Sequence, residues 1–265
     1  MTDADADLVG YESDGPIVWL TLNRPEKLNA FSDELVVALR DRMRQFDADS
    51  DAQIAILHGS GRAFSTGADV NQRQLRSREE FERLGGPQGF GANSGELFVQ
   101  SVNWKPVITA VHGYVLGLST GIMFESDLIV AEAGTQIQIT ETSRGLGGAK
   151  YWGLTQFRGG GAFGTEVALT GRFFSAEEAF AADMINRVAP KGEYLAQAKA
   201  LALEVCANPP LSVRATVRTR RWYMQRQNAE INMQTQPLKL YLTEDFHEAA
   251  SAFTQKRKPN PFKGR

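Results

Sequence analysis

Residues 105–131 read KPVITAVHGYVLGLSTGIMFESDLIVA. The run PVITAV is apolar and rich in β-branched residues, which suits a buried strand. Gly117, Leu118, Ser119, Thr120 and Gly121 follow without a charge, a histidine or a cysteine, and a helix can start there. DLIVA then reads as another short strand. A strand delivered to a helix start through small residues lets a ligand approach the bare N–H groups of the first helical turn.

The same alternation extends upstream. GPIVWLTLNRP (15–25) is a strand with Ile17, Trp19 and Thr21 on one face and Val18, Leu20 and Leu22 on the other, stopped by Pro25. SDELVVALRDRMRQFDAD (32–49) starts a helix at the N-cap candidate Ser32 and carries Leu35, Leu39, Met43 and Phe46 at helical spacing. AQIAILHGSG (52–61) is a buried strand ending in a glycine turn, and TQIQIT (135–140) is a further short strand. Alternating strands and helices predict an α/β core with substantially parallel strands.

After about residue 160 the pattern becomes helix upon helix. SAEEAFAADMI, YLAQAKALALEVCA, LSVRATVRTRRWYMQRQNAEIN and LKLYLTEDFHEAASAFTQK all lack strand alternation, and Pro209-Pro210 punctuates them. Between core and tail, NQRQLRSREEFERL (71–84) is a polar helix candidate and GGPQGFGANSG (85–95) a glycine-rich loop of the kind that is mobile or functional inside a compact domain.

The 265 residues, 42% hydrophobic and 23% charged, fit one large domain or one domain with a helical appendage. A net charge of −2 argues against a chain built to coat nucleic acid or an anionic membrane. The single cysteine, Cys206, leaves no internal disulfide and no multi-cysteine metal site. No apolar run is long enough to span a membrane, and the acidic start MTDADADLVG lacks the order of a signal peptide, so a cytoplasmic setting is expected. GSG at 59–61 lacks the spacing of a dinucleotide fingerprint. Of the three histidines, His58 and His112 end apolar strands, where a structural role is expected, and Ser–His–Asp catalysis finds no support.

NRPEKLNAF (23–31), GSGRAFSTGADV (59–70), residues 105–131 and FFSAEEAFAADMINRVAP (173–190), in that order and spacing, resemble the crotonase superfamily and within it the enoyl-CoA hydratase/isomerase family. The tail AFTQKRKPNPFKGR is similar to the family's ending. The resemblance implies a spiral of repeated β-β-α units over 1–200, and over 201–265 a helical C-terminal region that builds homotrimers or hexamers. It implies an acyl-CoA substrate, chemistry of the fatty acid metabolism type, and neither a metal nor a separate cofactor.

By family position the two backbone donors of an oxyanion hole fall on Ala68 and Leu118. Family members usually carry glycine at the second position. Leucine keeps the N–H, but its side chain must point away from the substrate. Lys27, Leu28, Thr66 and Asp69 fall where the family borders the coenzyme, and Phe253 and Lys256 where it reaches the adenosine end, in some cases from another subunit. Family hydratases use two glutamates, one to activate water and one for the neighbouring carbon. The first position here is Gly121 and the second is Glu141. Glu125, one turn beyond Gly121, is expected to project differently, and Asp127 is read as structural.

A lone Glu141 resembles the enoyl-CoA isomerases, in which one carboxylate moves a proton from C2 to C4. Hydration with a non-standard second acid (a lyase activity) and thioester hydrolysis stay open. Ser119, Thr120, Tyr151 and Trp152 are expected to pack rather than react. A rival of another class is RNA binding through RATVRTRRWYMQRQ (214–227), where Arg214, Arg218 and Arg221 share a helical face beside Trp222 and Tyr223. Without an accompanying motif, a nucleic-acid partner is not expected, and a solvated or intersubunit face is the alternative.

Overall fold

Strands β1 (Val9–Asp14) and β2 (Ile17–Leu22) form an antiparallel hairpin at one edge of the main sheet. The computed structural model describes residues 8–87, 98 and 101–265, so positions 88–95 of the glycine-rich loop lie outside the described residues. Helix α1 (Asp33–Ala48) follows, and Ser32 caps it by accepting the Leu35 N–H at 3.2 Å. Strands β3 (Ile54–Gly59), β4 (Val107–Val111), β6 (Leu128–Glu132) and β9 (Arg187–Ala189) then add in parallel, giving a six-stranded sheet in the order β1-β2-β3-β4-β6-β9.

A second sheet of three strands, β5 (Tyr114–Leu116), β7 (Gln136–Gln138) and β8 (Phe173–Ser175), stands beside it. The chain alternates between the two: β4 joins the large sheet and β5 the small one, then β6 and β7 repeat the move. This is the expected β-β-α spiral. Helix α4 (Leu118–Glu125) follows β5, and α5 (Ala149–Phe157) and α6 (Gly161–Thr170) follow β7.

Alternation along the strands fills two cores. Val18, Leu20, Leu22, Leu57 and Val111 face one side with Leu35, Leu39 and Phe46 of α1 and the apolar residues of α4. Ile17, Ile54, Ile56, Ile108 and Val130 face the other, covered by Tyr194, Ala198, Leu201 and Ala202. Those four belong to a helix spanning Tyr194–Cys206. With α7 (Ala176–Ala181) before it, this is α8, and position 200 falls inside it; α9 (Pro210–Thr235) and α10 (Glu244–Thr254) complete the helical end.

The single polar helix expected over 71–84 is instead two short ones, α2 (Val70–Arg73) and α3 (Arg78–Leu84). Ser77 and Glu80 form a capping box that starts α3 afresh, while Arg73 and Phe81 are buried rather than solvated.

The arginine-rich stretch of α9 is corrected more sharply. Arg221 is 1% exposed, and its guanidinium clasps Asp127, with Nε donating to Oδ1 at 3.1 Å and Nη2 donating to the Lys105 carbonyl at 2.9 Å. Arg220 donates to the same carboxylate at 3.2 Å, and Asp127 Oδ2 accepts the Val107 N–H at 2.9 Å. These arginines tie α9 to the sheet and are not part of a solvated face. Removing Arg221 leaves the buried Asp127 with Arg220 as its remaining ion partner among the described residues, so Arg221→Ala should lose about 3 kcal/mol of stability, the low end for a broken buried pair. Urea unfolding checks this; a loss below about 1 kcal/mol would place the anchor elsewhere.

Candidate active site

Three chain segments lie side by side and build the site. Ser65 bridges Val115 in parallel, with the Ser65 N–H donating to the Tyr114 carbonyl at 3.1 Å and the Leu116 N–H to the Ser65 carbonyl at 3.1 Å. On its other side β5 pairs in parallel with β7, Leu116 opposite Gln138. Parallel segments run out in the same direction, so Ala68, Gly117-Leu118 and Glu141 emerge next to one another. Leu28 extends the row, its carbonyl accepting the Thr66 N–H at 3.1 Å.

Ser119 and Thr120 hold this row together, as expected of packing residues. Ser119 Oγ donates to the Ser65 carbonyl at 2.8 Å and accepts the Leu116 N–H at 2.9 Å. Thr120 Oγ1 reaches the carbonyls of Val115 and Gln138, each at 3.1 Å.

Gly117 caps α4 with φ 52° and ψ −119°, a backbone conformation open to glycine. A Cβ there would meet Thr140 Oγ1 at 2.5 Å and Glu141 Oε1 at 3.4 Å, so the glutamate sits directly beside the start of the helix. The N–H of Leu118 is the first of α4 and has no hydrogen-bond partner among the described residues. Neither does the N–H of Ala68, whose neighbours Gly67 and Asp69 pair with Phe31. The Leu118 side chain is 4% exposed and packs into the core, which leaves its backbone to face the cleft. At the other end of α4, Arg158 donates Nε to the Phe124 carbonyl at 2.7 Å and Nη2 to the Ser126 carbonyl, filling acceptors that the helix leaves open.

These groups line one cleft of about 630 Å³. Its wall includes Lys27, Leu28, Thr66, Ala68, Asp69, Leu118, Glu141 and Phe253, together with Arg73, Gln74, Arg144, Leu146 and Phe173. Lys256 is exposed and not on this wall. Asp69 is held by Arg24, Nη1 to Oδ2 at 2.9 Å. Among the described residues no cluster of histidine, cysteine and carboxylate could hold a metal ion.

Burial pushes the Glu141 carboxyl up to about 7, against the opposing pull of a Tyr151 hydrogen bond and the Lys150 charge. Its Oε2 is covered and has no hydrogen-bond partner of good geometry among the described residues. A carboxyl poised there can both take and return a proton near neutral pH.

Tyr151 is buried and packs at a place that matters for the site. Its ring lies over Gly121: a Cβ on that glycine would meet Tyr151 Cε1 at 3.1 Å and its hydroxyl at 3.6 Å. The ring thus fills the space that a side chain at 121 would need. Burial first, then the Glu141 charge, keep the phenol protonated. Gly121 and Glu125 are one turn apart on α4, on the same face. Buried Glu125 pairs with Lys150 Nζ at 2.7 Å, which docks α5 on that face and sets the adjacent Tyr151 over Gly121. Glu125 does not line the cleft. The available signal was Gly121 itself, since glycine inside a helix costs about 1 kcal/mol and asks for a packing reason.

His58 and His112 are structural. His58 Nε2 pairs with Thr21 Oγ1 at 2.9 Å, and burial lowers its pKa. His112 Nε2 bonds the Gly61 carbonyl at 3.0 Å and stacks on Tyr194. Trp152 Nε1 donates to Thr165 Oγ1 at 3.1 Å, away from Glu141.

Comparison with known proteins agrees with this architecture. The enoyl-CoA hydratase/isomerase family model matches residues 12–265. A mevalonyl-coenzyme A hydratase of Aspergillus fumigatus is 31% identical over 92% of this chain and 90% of its own length. A 2,3-dehydroadipyl-CoA hydratase of Escherichia coli is 29% identical over 94% and 96%. The crystal structure of a carnitinyl-CoA hydratase from Mycobacterium avium superposes with a TM-score of 0.81 at 26% identity, over 98% of this chain and 100% of that one. With the spiral fold, the cleft and this match over nearly its whole length, the chain belongs to the enoyl-CoA hydratase/isomerase family of the crotonase superfamily.

Proposed function

We propose that this enzyme migrates the double bond of an enoyl-CoA by one-base proton transfer, with Glu141 as the base. The observation that carries the reading is that, among the described residues, Glu141 is the one carboxyl of the cleft wall without an ion pair, beside two unpartnered N–H groups, with the Tyr151 ring against Gly121. The thioester oxygen sits between the N–H groups of Ala68 and Leu118. Glu141 takes a proton from C2 of a 3-enoyl-CoA, and the electron pair delocalises to the oxygen as a dienolate. Each N–H is stronger toward that oxyanion than toward the ground-state carbonyl, and one such donor is worth roughly 3 kcal/mol. The α4 N-terminus adds favourable dipole. Glu141 then returns the proton to C4, and the double bond stands between C2 and C3.

Lys27, Leu28, Thr66 and Asp69 border the coenzyme in this reading. Within its own cleft Phe253 stands with Arg144, away from Lys27 and Leu28, so in this reading Phe253 and Lys256 reach the coenzyme of a neighbouring subunit in a trimer or hexamer. Hydration is the second reading, favoured by the relatives named as hydratases and by a protonated phenol at Tyr151 beside Glu141.

Incubation with 2-enoyl-, 3-enoyl- and saturated CoA thioesters in deuterated water, read by mass and NMR, tests this. Interconversion of 3-enoyl and 2-enoyl without added water is the expected outcome. A 3-hydroxyacyl product from the 2-enoyl substrate, with no migration, would select hydration, and free coenzyme A would select hydrolysis.

A further inference from the structure

We propose that Arg144 is an anion site for the far end of the acyl group, so that the preferred substrates are acyl-CoA thioesters bearing a second, distal carboxylate. The proposal rests on the acyl-CoA reading of the cleft and adds the substrate class.

Among the described residues the wall of the cleft carries three cations, Lys27, Arg73 and Arg144. Arg73 is matched by Asp33 at 3.3 Å. Among the described residues Arg144 forms no salt bridge and its guanidinium makes no hydrogen bond; burial lowers its pKa, and only the more distant charge of Glu141 opposes that. A half-buried guanidinium without a direct ion pair is costly to hold, which makes it a receptor for a carboxylate.

Its geometry suits that task. The guanidinium carbon sits over the Phe253 ring, 3.6 Å from its centroid, a separation that suits face-on stacking. Stacking uses the face of the group and leaves its N–H donors free in the plane, where a carboxylate can accept two of them. The backbone fixes its place: the Arg144 N–H donates to the carbonyls of Thr140 and Glu141, each at 3.1 Å, so it stands one tight turn beyond the base.

The order of groups along the cleft distinguishes its two ends. Leu28 and Thr66 neighbour Ala68, then come Gly117-Leu118, then Glu141, with Arg144 beyond. With the thioester oxygen on Ala68 and Leu118, the coenzyme leaves toward Lys27 and Leu28. The acyl chain then runs past Glu141 toward Arg144.

The test measures dissociation constants by calorimetry for matched saturated pairs that differ by a terminal methyl or carboxylate: butanoyl and succinyl, pentanoyl and glutaryl, hexanoyl and adipyl-CoA. Free coenzyme A is the control, against the wild type, Arg144→Met and Arg144→Lys. The carboxylate member of at least one pair should bind about tenfold or more tightly in the wild type, as a charge-assisted bond requires. Arg144→Met should erase that preference with free coenzyme A binding unchanged, and Arg144→Lys should keep part of it. Equal affinities within every wild-type pair, or a preference that survives Arg144→Met, would overturn the proposal. An equal loss for free coenzyme A and all thioesters in Arg144→Met would assign the arginine to a coenzyme phosphate, which also overturns it. If neither thioesters nor coenzyme A bind at all, the acyl-CoA reading of the cleft itself fails.

Discussion

Glu141→Gln should lower turnover of the 3-enoyl-CoA by about 10²–10⁴-fold and leave thioester binding close to that of the wild type. Glutamine keeps the size of the side chain but cannot accept and return a proton. The oxyanion donors at Ala68 and Leu118 are backbone groups and stay in place, so KM should move little while kcat collapses. An unchanged rate would remove Glu141 from the mechanism.

The same residue sets a pH profile with a definite direction. Its carboxyl titrates near 7, and the base must be ionised to act, so kcat/KM should rise through that pH and level off above it. The stability effect runs the other way. An ordinary glutamate titrates near 4.5 and this one near 7, so the folded state holds a proton that the unfolded chain has released between those values. The wild type therefore loses stability as pH rises from about 4.5 through about 7, by about 3 kcal/mol at the plateau above. Glu141→Gln should be the more stable protein at pH 8, and the advantage should vanish near pH 4. An advantage that does not change with pH would mean that burial of the charge is not its source.

How much of this was legible in the sequence depends on what kind of interaction places each residue. The long strands and α1 announce themselves, because Val18, Leu20 and Leu22 alternate and Leu35, Leu39, Met43 and Phe46 recur at helical spacing, each on a buried face. Strands β5, β8 and β9 are three residues each, too short to show any period, and they exist because an already formed edge offers them partners. β5 and β7 matter most, since they carry Gly117 and Glu141 to the same place.

Motif positions led to Glu141, Ala68 and Leu118 because their placement depends on local turns and parallel registers that follow from the strand order. Arg221 misled, because helical periodicity puts it on a face with Arg214 and Arg218 and cannot show Asp127, which lies 94 residues away. Tyr151 was hidden for the same reason. Its contact with Gly121 exists only because the Glu125–Lys150 pair docks α5 against α4.

That contact yields the strongest test of why this site has one carboxyl. Gly121→Glu alone should not create a hydratase. Its Cβ would already press on Tyr151 Cε1 at 3.1 Å, so the ring must give way before a longer side chain can follow. Overpacking of this kind costs about 1–3 kcal/mol and pushes either the glutamate or the tyrosine out of position. Tyr151→Ala alone should cost about 3–5 kcal/mol, the usual penalty for emptying an aromatic site. The double variant Gly121→Glu/Tyr151→Ala places the new carboxyl in the volume the ring leaves, so the two losses should be markedly non-additive. It should also gain chemistry. Two carboxyls sharing one buried site cannot both ionise easily, so one holds its proton while the other stays a base, which is the pairing that water addition requires. Hydration of a 2-enoyl-CoA should rise by about 10²-fold or more over either single variant. If the double variant folds, binds the thioester and still adds no water, steric exclusion by Tyr151 is not what separates this site from a two-carboxylate hydratase.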